Sequence, residues 1–298
     1  MKNSISRRSA LRNLAGSAAL LGAATAPDLA LAVDDPPLKG NIHHSVCRWC
    51  YGKLSLDELC QAARNIGIAS IDLLGPDEWP TAKKYGLICA MCNGPDSIGY
   101  GWNRVEHHDR LVAAFEKAIP QVAEYGYPNI ITFSGNRQGK DGNQPYTVSD
   151  EEGLENCVKG LKRIVGVAEK NKVNLVIELL NSKVDHKHYM ADHTAWGVEV
   201  CQRVGSDRLK LLYDIYHMQI MEGDLIRTLR ENIQYIAHFH TGGVPGRNEI
   251  DDSQEIYYPA VMRAIVATGY QGYVAQEFIP KNKDAVASLR QAIHICDV

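Results

Sequence analysis

The chain has 298 residues, 45% hydrophobic and 22% charged, which supports one sizeable core and excludes a disordered, fibrous or low-complexity protein. The net charge of −3 comes without a basic stripe, which argues against nucleic acid as a partner.

Residues 1–32 stand apart from the fold. Ser6-Arg7-Arg8-Ser9 carries a twin-arginine pair, the apolar run Leu14–Ala26 follows, and Ala30-Leu31-Ala32 offers small residues at the cleavage positions. This is the pattern of a bacterial twin-arginine export signal, so the mature protein is expected in the periplasm or otherwise exported. The apolar run is too short for a permanent anchor, and no stable membrane span is expected after cleavage. Residues 33–298 then form one domain, near the ~250 residues typical of a β/α barrel.

Past the linker Asp34–Pro37, strand and helix signals alternate. Strands are expected at Ile42–Val46, Ser70–Leu73, Leu87–Met91, Asn129–Phe133, Asn174–Glu178, Leu209–Asp214, Tyr235–His240 and Gly272–Glu277. Between them, Ser55 and Glu58 form a capping box ahead of a first helix. Arg104–Tyr125 and Ser149–Asn171 read as long amphipathic helices, and shorter ones fit Thr194–Val204, Asp224–Glu231, Gln254–Thr268 and Asp284–Ile295. Several helices run into a glycine and then a strand, as at Gly67, Gly86, Gly126 and Gly269. Eight strands in strict alternation predict an α/β fold, the closed (β/α)8 TIM barrel. The rival open doubly wound sheet usually has a glycine-rich phosphate turn after its first strand, and here that position reads His43-His44-Ser45-Val46-Cys47.

Four strand ends carry the chemistry: Glu178, Asp214, His240 and Glu277 each close an apolar run. In a parallel barrel these ends meet at one mouth. Three carboxylates and an imidazole make a shell for one divalent ion, Mn²⁺ or Mg²⁺ first, with Co²⁺ or Zn²⁺ also compatible. His217, three residues after Asp214, faces the same mouth if the chain turns helical there. The Pro245-Gly246 turn swings Arg247 over it, where a guanidinium can hold a substrate oxyanion or carboxylate. His43 on the first strand and Trp49 just past it are candidates to touch substrate. His107-His108 opens a helix and reads as solvated or substrate-flanking, and Asp185–His188 as a polar loop over the mouth. The pairs Cys47/Cys50 and Cys89/Cys92 straddle the first and third strand ends, which favours small buried residues over a zinc site or a redox pair.

These segments resemble the xylose isomerase-like TIM barrel superfamily and, within it, the hydroxypyruvate isomerase family. The resemblance runs from Trp49 to Pro280 and is most specific at Glu178-x-x-Asn181, Asp214-x-x-His217, Pro245-Gly246-Arg247 and Gln276-Glu277-Phe278-Ile279-Pro280. It implies Glu178, Asp214, His240 and Glu277 as metal ligands, with the two glutamates doubling as the acid/base pair. It also implies substrate contacts from His217 and Arg247, with Asn181 beside them. Hydroxypyruvate isomerases often carry Gln where His240 stands, and that departure looks like ketose 3-epimerases and inosose-processing relatives. The expected activity is isomerisation of a small 2-hydroxy carbonyl or sugar compound through a metal-stabilised enediolate. A ketose 3-epimerase, an inosose dehydratase-type lyase and a non-catalytic exported sugar-binding protein are the alternatives. A homo-oligomer stays open. The superfamily's DNA-repair endonucleases need three metals and more mouth histidines.

Overall fold

The structure, a computed structural model, describes residues 37–298, so the expected export signal lies outside the described residues. In chain order the elements are β1 (His43–Cys47), α1 (Leu56–Ile66), β2 (Ser70–Asp72), α2 (Trp79–Lys84), α3 (His108–Glu124), β3 (Asn129–Thr132), β4 (Gln138–Asp141), β5 (Gln144–Thr147), α4 (Asp150–Lys162) and α5 (Val165–Asn171). There follow β6 (Asn174–Glu178), α6 (Thr194–Val204), β7 (Leu209–Asp214), α7 (Ile215–Met221), α8 (Leu225–Asn232), β8 (Ile236–Thr241), α9 (Tyr258–Ala267), β9 (Tyr273–Gln276) and α10 (Ala285–Cys296). Seven strands form one parallel sheet in the order β2-β1-β9-β8-β7-β6-β3.

The gap between β3 and β2 is filled by the segment expected as the third strand, Leu87–Met91. It pairs through isolated parallel bridges rather than as a regular strand: Ser70 with Ile88, Leu74 with Cys92, and Cys92 with Ile130. Backbone bonds from Ile71 to Ile88, Leu73 to Met91 and Ile131 to Cys92 carry the closure around. The first and last strands are neighbours, with His44 opposite Val274 and Val46 opposite Gln276. The curled sheet and its outer helices match the expected barrel.

Alternation along the strands sorts side chains into two cores. Outward residues pack under the helices in one large cluster that includes Trp79, Phe115, Tyr213 and Phe239. Inside the barrel, Met91, Ile131, Val176 and Leu212 form a separate apolar layer, each 2% exposed or less. β8 carries one extra residue, since Leu211 pairs with Ile236 and Leu212 with His238, which leaves Ala237 over. Such a bulge bends a strand and adds twist. The capping box forms, with Ser55 Oγ accepting from Glu58 N at 3.2 Å and Glu58 Oε2 accepting from Ser55 N at 2.7 Å.

Several local features differ from expectation. The helix expected over Ser149–Asn171 breaks at Arg163–Ile164 into α4 and α5. The loop after β3 contains an exposed hairpin, β4–β5, turning at Gly142 with φ +60. His107 and His108 are not solvated: they are 3% and 1% exposed and bond the Gly101 and Trp102 carbonyls at 3.0 and 2.9 Å. The cysteines, in contrast, agree with the reading as small buried residues, all eight being buried and unpaired. The loop ahead of α3 is pinned by Asp96, whose Oδ2 accepts from Thr132 Oγ1 and from Phe133 N at 2.9 Å. Burial pushes Asp96 up to about 7 against those two bonds. No helix among the described residues is long and apolar enough to cross a membrane.

Candidate active site

Glu178 ends β6, Asp214 ends β7, His240 lies one residue from the end of β8, and Glu277 follows β9. All four face inward at the C-terminal mouth, and one ligand atom from each lies within 4.8 Å of every other. They are 0–5% exposed. His240 presents Nδ1 to this group, 2.6 Å from Glu277 Oε2 and 3.4 Å from Glu178 Oε1. That Nδ1 is buried without an aligned hydrogen bond. Four ligand atoms converging on one point are what a shared cation requires, so the donor set fits a divalent ion.

The other face of His240 is held by a residue that the strand pattern did not single out. Nε2 lies 3.5 Å from Asp72 Oδ2 and 3.6 Å from Cys47 Sγ. Asp72 is fully buried at the end of β2 and accepts from Ser45 Oγ at 2.6 Å and from His238 Nε2. Burial raises Asp72, but His238 and His240 outweigh it and keep the carboxyl ionised. The sequence signal was available: a carboxylate inside an apolar run is expensive to bury and persists only with partners.

Arg247 arrives as expected, on the loop after β8. Its backbone adopts φ +55, its Nη2 donates to Asp214 Oδ2 at 2.7 Å and to Glu277 Oε2, and its Nε donates to the Glu277 carbonyl at 3.0 Å. Nη1 donates to His217 Nε2 at 2.6 Å, while His217 Nδ1 lies 2.7 Å from Asn181 Nδ2. His217 reaches the mouth because α7 starts at once, with Asp214 Oδ1 accepting from His217 N as its cap. Asn181 Nδ2 also donates to Asp185 Oδ2 at 2.6 Å, which ties the loop after β6 to the site. Trp49 stands at the rim, 48% exposed, and donates Nε1 to Glu277 Oε1 at 2.7 Å.

One candidate is misplaced. His43 opens β1 rather than ending it, is exposed, and its Nδ1 lies 3.0 Å from the Gln271 carbonyl at the opposite end of the barrel. The mouth encloses a cavity of about 360 Å³ lined by Trp49, Glu178, His217, Arg247 and Glu277 among others. Within it the carboxyls have unlike environments. Burial pushes Glu178 up to about 7, helped by the nearby Glu277 charge. Burial acts on Glu277 as well, but Arg247 and His240 overcome it and hold that carboxyl well below the usual range. Burial raises Asp214 against the pull of Arg247. Burial, then Arg247, keeps His217 neutral. A cation held by these groups would favour the charged form of every carboxyl it touches.

A sequence profile of the xylose isomerase-like TIM barrel family matches residues 80–295. A Mus musculus protein named for hydroxypyruvate isomerase is 32% identical over 258 residues, 81% of this chain and 90% of its own. The 2-oxo-tetronate isomerase of Cupriavidus necator is 32% identical over 124 residues, 42% of this chain and 47% of its own. Among solved structures, an AP endonuclease family 2 protein from Brucella melitensis superposes with TM-score 0.73 at 19% identity, covering 83% of this chain and 97% of its own. The IOLI protein with a bound zinc atom gives 0.65 at 14% identity, covering 86% and 95%. These two share the fold. On the profile and the full-length relative together, the chain belongs to the xylose isomerase-like TIM barrel family, in its hydroxypyruvate isomerase group.

Proposed function

We propose that this protein is an exported, divalent-metal-dependent isomerase of a small 2-hydroxy carbonyl compound, with a 2-oxo acid such as hydroxypyruvate as the model substrate. The observation that carries the reading is the convergence of Glu178, Asp214, His240 and Glu277 on one point beneath Arg247 and His217. The substrates in the relatives' names are 2-oxo acids, and the Arg247 guanidinium suits a carboxylate next to a carbonyl.

Glu178, Asp214, His240 and Glu277 would hold the ion, Mn²⁺ or Mg²⁺ by the predominance of carboxylate oxygens. The ion would polarise the substrate carbonyl and spread the negative charge that develops on its oxygen. Glu277 and Glu178 both line the pocket and would be the acid/base pair. One carboxylate takes the proton from the hydroxyl-bearing carbon, and the C–H electron pair becomes a carbon–carbon double bond. The proton returns at the former carbonyl carbon, and the hydroxyl proton moves to the former carbonyl oxygen. Trp49 and Arg247 keep Glu277 aimed and ionised through bonds that favour its charged form. Arg247 and His217 orient the substrate's anionic end.

The test is solvent exchange. Protein loaded with Mn²⁺ or Mg²⁺ should incorporate deuterium from D₂O into hydroxypyruvate carbon, and chelation should stop it. Absence of exchange with either ion would sink the reading. Export is tested separately, by the mass of the protein recovered from the periplasm, where residues 1–32 should be missing.

A further inference from the structure

The cavity is divided by chemistry as well as by shape. Most of its polar groups come from β6 to β9 and the loops that follow them. The facing wall is apolar: Leu73 after β2, Ile98, Ile131 and Phe133 around β3, with Leu180 and Ile279 at its edges. Ile131 belongs to the dry layer inside the barrel, so this wall continues the core upward to the mouth. Among the described residues, the first half of the chain brings two polar side chains to the cavity, and one donor of each is already engaged. Asn93 Nδ2 bonds the Leu73 carbonyl at 2.8 Å, and Trp49 Nε1 bonds Glu277. Leu73 is held at φ +60, a conformation a leucine adopts at an energetic cost, so the fold tolerates strain to place it there.

This wall is more than a three-carbon acid needs. About 360 Å³ holds roughly a dozen water-sized groups at ~30 Å³ each. Hydroxypyruvate, with about seven non-hydrogen atoms, fills little more than half of that. A ketose places its remaining hydroxyls against this wall, where they lose water and find few partners. We propose that the substrate is a hydroxycarbonyl compound with an apolar arm, an alkyl or aryl substituent that lies on the Leu73–Ile98–Ile131–Phe133 wall. This rests on the reading of the carboxylate–histidine cluster as a metal site for a hydroxycarbonyl group.

Hydroxamates test it, because their two oxygens chelate a cation as a hydroxycarbonyl does. Acetohydroxamate, butanohydroxamate, hexanohydroxamate and the polyol erythronohydroxamate are titrated calorimetrically into the Mn²⁺-loaded protein. Affinity should rise about fourfold for each buried methylene from the acetyl to the hexanoyl compound. Erythronohydroxamate should bind no tighter than acetohydroxamate. Ile98→Asn should flatten the alkyl series, read as the ratio of hexano- to acetohydroxamate affinity within that variant. A flat series in the unmodified protein, or erythronohydroxamate binding tighter than butanohydroxamate, overturns the apolar arm and leaves the metal site standing. Loss of all Mn²⁺-dependent hydroxamate binding overturns the metal reading, and the arm with it.

Discussion

Asp72→Asn asks whether the buried carboxylate behind His240 sets the affinity of the metal site. The substitution keeps the side chain's volume and one oxygen but removes the charge 3.5 Å from His240 Nε2. The new amide must also face Ser45 Oγ and His238 Nε2, both donors to Asp72, so at least one buried bond is lost or inverted. An unsatisfied buried donor costs ~1–3 kcal/mol, and losing the carboxylate that orients a ligating histidine typically weakens metal binding ~10–100-fold. The two figures describe the same size of effect, since tenfold is ~1.4 kcal/mol. The assay is Mn²⁺ titration followed by electron paramagnetic resonance, with melting temperatures measured under chelation to separate general destabilisation. Ser45→Ala serves as the control: it loses the 2.6 Å bond but leaves the charge, and should change Mn²⁺ affinity less than threefold. An Asp72→Asn protein that melts like the wild type and binds Mn²⁺ as tightly would refute the idea that this carboxylate fixes His240.

Glu277→Gln retains an oxygen ligand but cannot take a proton, so carbon–hydrogen exchange should fall at least ~10²-fold while some Mn²⁺ remains bound; single-turnover deuterium incorporation measures it. Arg247→Ala should raise KM and lower kcat as well, because the guanidinium that would clamp the anionic end also holds Glu277 aimed and ionised, and steady-state kinetics will separate the two effects. Asp96 gives a pH prediction away from the metal ligands. Its folded pKa is raised to about 7 by burial, so its contribution to stability is fully present below the ordinary carboxylate range and is lost as pH rises toward 7. Asp96→Asn, which keeps an acceptor for Thr132 and Phe133, should therefore gain stability relative to wild type between pH 4 and pH 7; parallel melting curves that do not diverge over that interval would remove the assignment.

The four proposed ligands were legible because each ends an apolar run, and a parallel barrel leaves those ends one place to meet. Arg247 was legible from the Pro-Gly turn before it. Asp72 was harder: it lies inside Ser70–Leu73, where strand periodicity reads the residue as part of the wall and only the cost of burying its charge marks it. His43 failed for a directional reason. Alternation says which face of a strand a side chain takes, but height along the barrel depends on where pairing begins, and β1 begins at His43 itself. The hairpin β4–β5 is polar and exposed, so no hydrophobic period revealed it, although Gly142-Asn143 is a recognised two-residue turn signal. The break between α4 and α5 left no mark in the apolar spacing, which runs on through both.

The pairing of β1 with β9 sets the order in which the site can be assembled. Glu277 follows β9, so the proposed ligand set stays incomplete until β9 has been made and has closed against β1. Asp297 Oδ2 adds to that closure by accepting from Lys39 N at 2.9 Å. Early ions can meet at most Glu178, Asp214 and His240, a weaker and more open shell. On the proposed twin-arginine route, folding is finished before the membrane is crossed. A cation bound there would then be chosen from the concentrations in the cytoplasm rather than those of the compartment to which the protein is sent.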